Sequence, residues 1–172
     1  MRFTHLHVHS HYSLLDGLAK IDDLVAKTKE LGMDSLALTD HGTLYGAVEF
    51  FQKAKKAGIK PIIGCEIYVA SGSMNNKTSA PDNKRYHLTV LVKNKIGYKN
   101  LVELITKAHL DGFYYKPRVD KDLLRQHADG LICMSGCRNS EISHFLAINQ
   151  LENAETAALE YQNIFGKDNF FI

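Results

Sequence analysis

Four imidazoles crowd the first eleven residues, at His5, His7, His9 and His11, and Asp16-Gly17 follows shortly after. Residues 3–9 alternate in polarity, which predicts a first strand. Residues two apart on a strand share a face, so His7 and His9 project together. Paired imidazoles at a strand's end suit a transition metal. Similar residues recur in Thr39-Asp40-His41-Gly42, Gly64-Cys65-Glu66, Tyr86-His87 and Ser135-Gly136-Cys137, each expected at or just beyond the end of a strand.

The candidate metal ligands are therefore His7, His9, Asp16, His41, Glu66, His87 and Cys137. Imidazole, carboxylate and thiolate together suit zinc, manganese or iron, whereas magnesium and calcium prefer oxygen shells. These candidates outnumber the ligands of one tetrahedral site, which implies a multinuclear centre with a carboxylate such as Glu66 shared between ions. Clustered divalent ions polarise a phosphoryl oxygen and activate water. The expected chemistry is phosphoester hydrolysis, with the same residues as the catalytic set acting through metal-activated water. No covalent nucleophile is required.

Such convergence needs elements that alternate. Ile21, Leu24, Val25, Thr28 and Leu31 recur at helical spacing, with Gly32 as a stop; Ala47, Phe50, Phe51 and Ala54 form a second stripe ending at Gly58. Further strands are expected at 35–39, 61–69, 87–92, 131–134 and 169–172. Residues 71–85 read as a polar loop and 113–118 as an aromatic and basic one. Helices are expected around 101–108, at 120–127 and over 140–165, the last interrupted near Asn149. Repeated strand–helix units imply an α/β fold with a parallel sheet and helices outside it. Ligands from several strands converge more easily in a closed barrel than in an open doubly wound sheet.

Composition sets limits. The chain has 172 residues, 45% hydrophobic and 23% charged, which is ordinary for one globular domain. A formal charge of +2, with basic residues spread along the chain, does not by itself argue for nucleic acid. The three cysteines form no Cys-x-x-Cys pair, so neither a disulfide framework nor a zinc ribbon is indicated. No apolar run reaches membrane length, so no membrane partner is expected and a cytoplasmic location is.

Other residues have plainer expectations. His5 is read as packing or orienting the ligands rather than as a ligand itself, His11 as facing solvent or lying near the phosphate, and His109, His127 and His144 as helix-surface residues. Cys65 and Cys133 read as small buried hydrophobes. Asp40 either orients His41 or caps the next turn. Lys53, Lys55 and Lys56 read as an exposed helix face. Lys116 and Arg118, among aromatics, are candidates for contacts to DNA phosphates.

The segments His7-Val-His-Ser, Leu14-Leu-Asp-Gly, Thr39-Asp-His-Gly, Gly64-Cys-Glu-Ile-Tyr, His87-Leu-Thr-Val-Leu and Ser135-Gly-Cys resemble the PHP (polymerase and histidinol phosphatase) domain family. More narrowly, Ser13-Leu-Leu-Asp-Gly-Leu-Ala-Lys20, Tyr45-Gly-Ala-Val-Glu-Phe50, Gly97-Tyr-Lys-Asn-Leu101 and Gly112-Phe-Tyr-Tyr-Lys-Pro-Arg118 resemble the PHP domains that open the alpha subunits of bacterial DNA polymerase III. The resemblance covers the whole chain as a single domain. It implies a distorted (β/α)7 barrel, here expected to stop before the last strand or strands, with up to three divalent ions. By position, His7 and His9 would hold the first ion. Glu66 would bridge it to a second, held also by His87 and Cys137, and Asp16 and His41 would hold the third. An Asp-x-His pair expected on a later strand lies beyond this chain. The implied activity is metal-dependent phosphodiester cleavage, as a 3′→5′ proofreading exonuclease attached to a DNA-directed DNA polymerase. The implied partners are DNA, the remainder of the polymerase chain, a proofreading subunit and a sliding clamp. The other readings are a metal-stabilised docking module, a small-molecule phosphatase of the histidinol phosphatase type and, more remotely, an amidohydrolase-type barrel.

Overall fold

The computed structural model describes residues 3–14, 16–78 and 84–172. In chain order these form α1 (Ile21–Glu30), β1 (Ser35–Leu38), α2 (Ala47–Lys56), β2 (Lys60–Ala70), β3 (Arg85–Val92), α3 (Lys95–Leu110), β4 (Arg118–Val119), α4 (Lys121–His127), β5 (Leu131–Met134), α5 (Glu141–Ala147), α6 (Leu151–Phe165) and β6 (Phe170–Phe171). Among the described residues no helix is long and apolar enough to cross a membrane.

The helices start and stop where local chemistry dictates. The Asn94 side chain accepts hydrogen bonds from the Ile96 and Gly97 amides at the start of α3, and Asp120 accepts from Leu123 at the start of α4. The expected break near Asn149 separates α5 from α6, and Asn149 itself has φ 58. On α1, Ile21, Val25 and Thr28 face inward; on α2, Ala47, Phe50 and Ala54 do. These two helices close a smaller core over β1, joined by Leu36, Leu38 and Ile59. A larger core fills the space between the sheet and α3, α4, α5 and α6, around Ile67, Leu88, Leu104, Leu131 and Tyr161.

The sheet has six strands in the order β1-β2-β3-β5-β6, with β4 paired to β2. The α/β class is as expected, but the sheet is mixed rather than parallel. Strand β2 spans two environments: Lys60 to Ile63 pair parallel with β1, and Gly64 to Ala70 pair antiparallel with β3. Strand β3 also runs antiparallel to β5, while β5–β6 and β2–β4 are parallel. The physical reason is the connection. Among the described residues no helix separates β2 from β3, and strands joined without a crossover pair antiparallel. The polar loop expected there lies partly outside the described residues, at 79–83; its base is closed by the Ser71 amide on the Lys84 carbonyl at 2.9 Å.

The expected first strand is a second correction. Residues 3–9 run extended beside β1, with the Ala37 amide on His5 O at 3.0 Å and the Thr39 amide on Val8 O at 2.8 Å. These isolated bonds place the histidines but build no ladder.

Candidate metal centre

Glu66 sits in β2, just past the change of partner, and is only 1% exposed. Burying a lone carboxylate is costly unless it is satisfied on all sides. Here the histidines supply the partners. His7 Nε2 and His9 Nε2 each lie 2.9 Å from Glu66 Oε2, and His41 Nδ1 lies 3.3 Å from the same oxygen. His87 Nδ1 bonds Glu66 Oε1, and the Cys137 thiol lies 3.5 Å from it. His41 turns its Nε2 to Asp16 Oδ2 at 2.8 Å. The rings pack tightly, His9 stacked on His41 at 4.1 Å between centroids and His41 edge-on to His87 at 5.5 Å.

Each element contributes by geometry. The extended segment brings His7 and His9, and the turn after β1 brings His41. Strands β2 and β3 pair Tyr68 with His87 and Glu66 with Thr89, so all four side chains share a face. Cys137 follows β5 through Gly136, whose φ of 89 suits glycine and whose added Cβ would lie 2.9 Å from His87 O. Gly42, after His41, has φ 61, and a Cβ there would meet the Pro117 side chain at 2.8 Å and the Tyr68 ring at 3.1 Å. Three expectations about strand ends need correction: Glu66 lies within β2, His87 lies near the start of β3 because that strand is reversed, and His7 and His9 lie on no strand. All seven candidates nevertheless converge. The tightest groups are His7, His9 and Glu66, and His41, Glu66 and His87, with Asp16 and Cys137 at the margins.

Burial alone would push the Glu66 carboxyl up, but hydrogen bonds from His7, His87 and His9 outweigh it and hold the group ionised, well below the usual carboxylate range. Burial lowers His9, yet its bond to Glu66 and the charge of Glu66 prevail and raise it. Burial, and then the Glu66 charge, push the Cys137 thiol up.

The donor set fits a divalent cation. A carboxylate offers about four lone-pair sites; His7, His9, His87 and Cys137 take them up on Glu66 and His41 crowds in beside them. His41 Nδ1 is buried and makes no hydrogen bond among the described residues. Clustered imidazole nitrogens around one buried anion, with a nitrogen left over, is the arrangement that positive charge at their centre would satisfy.

Two side chains here stand in the quoted motifs but were given no role by the sequence reading. Tyr68 lies 5.1 Å from the His87 ring and 6.1 Å from that of His41, and burial followed by the Glu66 charge pushes its phenol up to about 12. It keeps its proton at neutral pH. The signal was its i,i+2 relation to Glu66 on one strand. Ser13 is the other. Its hydroxyl donates to Asp40 Oδ1 at 2.6 Å, accepts the His41 amide at 3.1 Å and lies 3.3 Å from His9 Nδ1.

Asp40, 1% exposed, does not bond the His41 ring. It holds the loop before Asp16 by accepting from the Ser10 amide at 2.6 Å and the Ser10 hydroxyl at 2.8 Å as well as from Ser13. Asp40→Asn is expected to weaken metal binding about 10–100-fold, the range for residues that orient ligands, and to cost about 2 kcal/mol of stability. A zinc competition titration beside urea unfolding checks both.

Arg118 departs from its expected role. It is 1% exposed, and its guanidinium donates to the carbonyls of Gly112 (3.1 Å), Met74 (2.9 Å) and Asn76 (2.9 Å) while facing the Tyr114 ring at 5.2 Å. It ties two loops together instead of meeting phosphate. Lys116 is half-buried and lies 5.7 Å above the Tyr68 ring, near the cluster. His109 is not a free surface residue either, since its Nε2 meets Gly42 O at 2.9 Å. Cys65 and Cys133 are fully buried, as expected.

Residues 5–172 match the PHP domain family. The chain is 51% identical over 168 residues to a DNA polymerase III subunit alpha of Borreliella burgdorferi, covering 97% of this chain and 15% of that one. It is 50% identical over 173 residues to the subunit of that name from Treponema pallidum, covering 100% and 15%. The chain thus spans about one-seventh of the length of these relatives. Among solved structures, an amidohydrolase from Chromobacterium violaceum matches 61% of this chain and 32% of its own at TM-score 0.45 and 23% identity, too distant a likeness to bear on chemistry.

Proposed function

The chain belongs to the PHP domain family, and from that premise we propose that it is the metal-dependent phosphoesterase module of a bacterial DNA polymerase III alpha subunit. The observation that carries the reading is the convergence of four imidazoles and a thiol on the buried Glu66. His7, His9, Asp16, His41, Glu66, His87 and Cys137 would hold up to three ions, of zinc, manganese or iron. When bound, such ions polarise phosphoryl oxygens and make water a nucleophile near neutral pH.

The chain's own groups do the rest. Glu66, held ionised, keeps negative charge at the centre of the cluster. His41 and Asp16 hold one another at its exposed margin. Tyr68, held protonated, places a donor hydroxyl near a substrate's phosphoryl oxygens. Lys116 adds positive charge on the same side.

The substrate is single-stranded DNA at its 3′ end, cleaved as in proofreading. The partners are DNA, the remainder of the polymerase chain, the proofreading subunit and the sliding clamp, in the cytoplasm. The test is release of nucleotides from a 3′-labelled strand by the chain loaded with zinc or manganese. Release that stops on chelation and fails in Glu66→Gln supports the reading. No release from a metal-loaded, folded chain contradicts it.

A second reading, a metal staple for a docking module, is favoured by one feature: the cluster joins segments far apart in sequence, from His7 to Cys137. That reading expects a large gain in stability on metal binding with no cleavage of any phosphoester.

A further inference from the structure

Beside the cluster lies a cleft of about 660 Å³ that the chemistry above does not use. His87 belongs to both. The cleft is lined by Lys84, just before β3, Arg85 from its start, Arg138 from the turn after Cys137, and His144 from α5; none of its nine lining residues is a carboxylate. Lys84 Nζ lies 3.2 Å from His144 Nε2, so the two walls meet across it. The His87 amide donates to Asn139 O at 3.0 Å and fixes β3 against the turn that carries Arg138. Among the described residues, no acidic side chain pairs with Lys84, Arg85 or Arg138. In a chain of net charge +2, three cations around one cleft, with no acidic partner among the described residues, mark a local excess of charge.

We propose that this cleft is an anion subsite for the phosphate next to the one undergoing cleavage, so that the site takes a phosphodiester strand rather than an isolated phosphate. The inference rests on reading the Glu66 cluster as the phosphoester-cleaving centre. A group with one phosphate would place it at the cluster and leave the cleft unused. A single strand of nucleic acid carries its next phosphate beyond, where Arg85 and Arg138 meet it with planar donor forks. The volume lies within the range of about 300–1,000 Å³ for small-molecule sites.

The test is binding of a fluorescent oligothymidylate to the metal-loaded chain, followed by anisotropy over a range of salt. Each phosphate contact on a single strand contributes about 0.7 to the slope of log K against log salt. The pair Arg85→Gln and Arg138→Gln is expected to reduce that slope by about 1.4 and to leave the affinity for thymidine monophosphate unchanged. The matched pair Lys55→Gln and Lys56→Gln, exposed on α2, is expected to leave the slope as it was. Equal slopes in all three proteins overturn the subsite, as does an equal loss of oligothymidylate and mononucleotide binding in the arginine pair. Metal content is measured on the same samples. A wild-type chain without metal fails the functional reading, whereas one that holds metal and shows equal slopes fails the subsite alone.

Discussion

Glu66→Gln is expected to lower zinc affinity by at least about 100-fold while leaving the chain folded. Loss of a residue that only orients a ligand costs about 10–100-fold, and Glu66 is the group on which the four histidines and the Cys137 thiol converge. Glutamine has nearly the same shape, so the packing of β2 against β3 survives. Its amide, however, carries no charge and offers one acceptor oxygen in place of two. The imidazoles of His7, His9, His41 and His87 would then face a neutral group, and a cation among them would lose its one deeply buried negative partner. A competition titration against a chromophoric chelator reads the affinity, and circular dichroism checks the fold. Near-wild-type affinity in a folded Glu66→Gln protein would place the metal elsewhere.

Arg118→Ala is expected to destabilise the chain by about 2–4 kcal/mol. The side chain is buried, and its removal strands the carbonyls of Gly112, Met74 and Asn76, each of which costs about 1–3 kcal/mol when left unsatisfied. Water reaching the Met74 and Asn76 end of the loop offsets part of that sum. Arg118→Lys restores a charge but not the planar fork, and should fall between. Urea midpoints check the order, with a drop of about 1–2 M expected for alanine. Full stability in Arg118→Ala would return Arg118 to the phosphate-binding role suggested by its neighbours Tyr114, Tyr115 and Lys116.

What the sequence revealed, and what it concealed, divides along physical lines. The side chains that were read as candidate ligands do lie together, because His7, His9, His41 and His87 gather around one buried carboxylate. Helices were legible where an apolar stripe met a glycine stop, as with Ile21, Val25 and Thr28 on α1 before Gly32, whereas the start of α3 at Lys95, set by the Asn94 cap, lies well before the expected 101. Strand direction was less legible. Periodicity carries no sign, and the only clue to the reversal of β3 was the lack of a helical pattern between Val69 and Tyr86. Because β3 is reversed, His87 reaches the cluster from the start of its strand.

Residues 3–9 illustrate the opposite error. Their alternation does make the backbone extended, but ladder formation depends on the partner, and the backbone bonds to β1 and the residue after it are the isolated ones at His5 O and Val8 O. Arg118 shows a third limit. A basic residue among aromatics reads equally well as a phosphate contact or as a buried tie, and only its 1% exposure separates them. Tyr68 and Ser13, though within the quoted motifs, were assigned no role because neither type signals chemistry alone; their roles come from lying beside His87 and Asp40.

The central claim is that the buried Glu66 cluster is a metal centre. Elemental analysis of the wild-type chain, loaded with zinc or manganese and then dialysed free of loosely held ions, tests it most directly. The account predicts at least one tightly held equivalent per folded chain. A folded chain that retains none would contradict it.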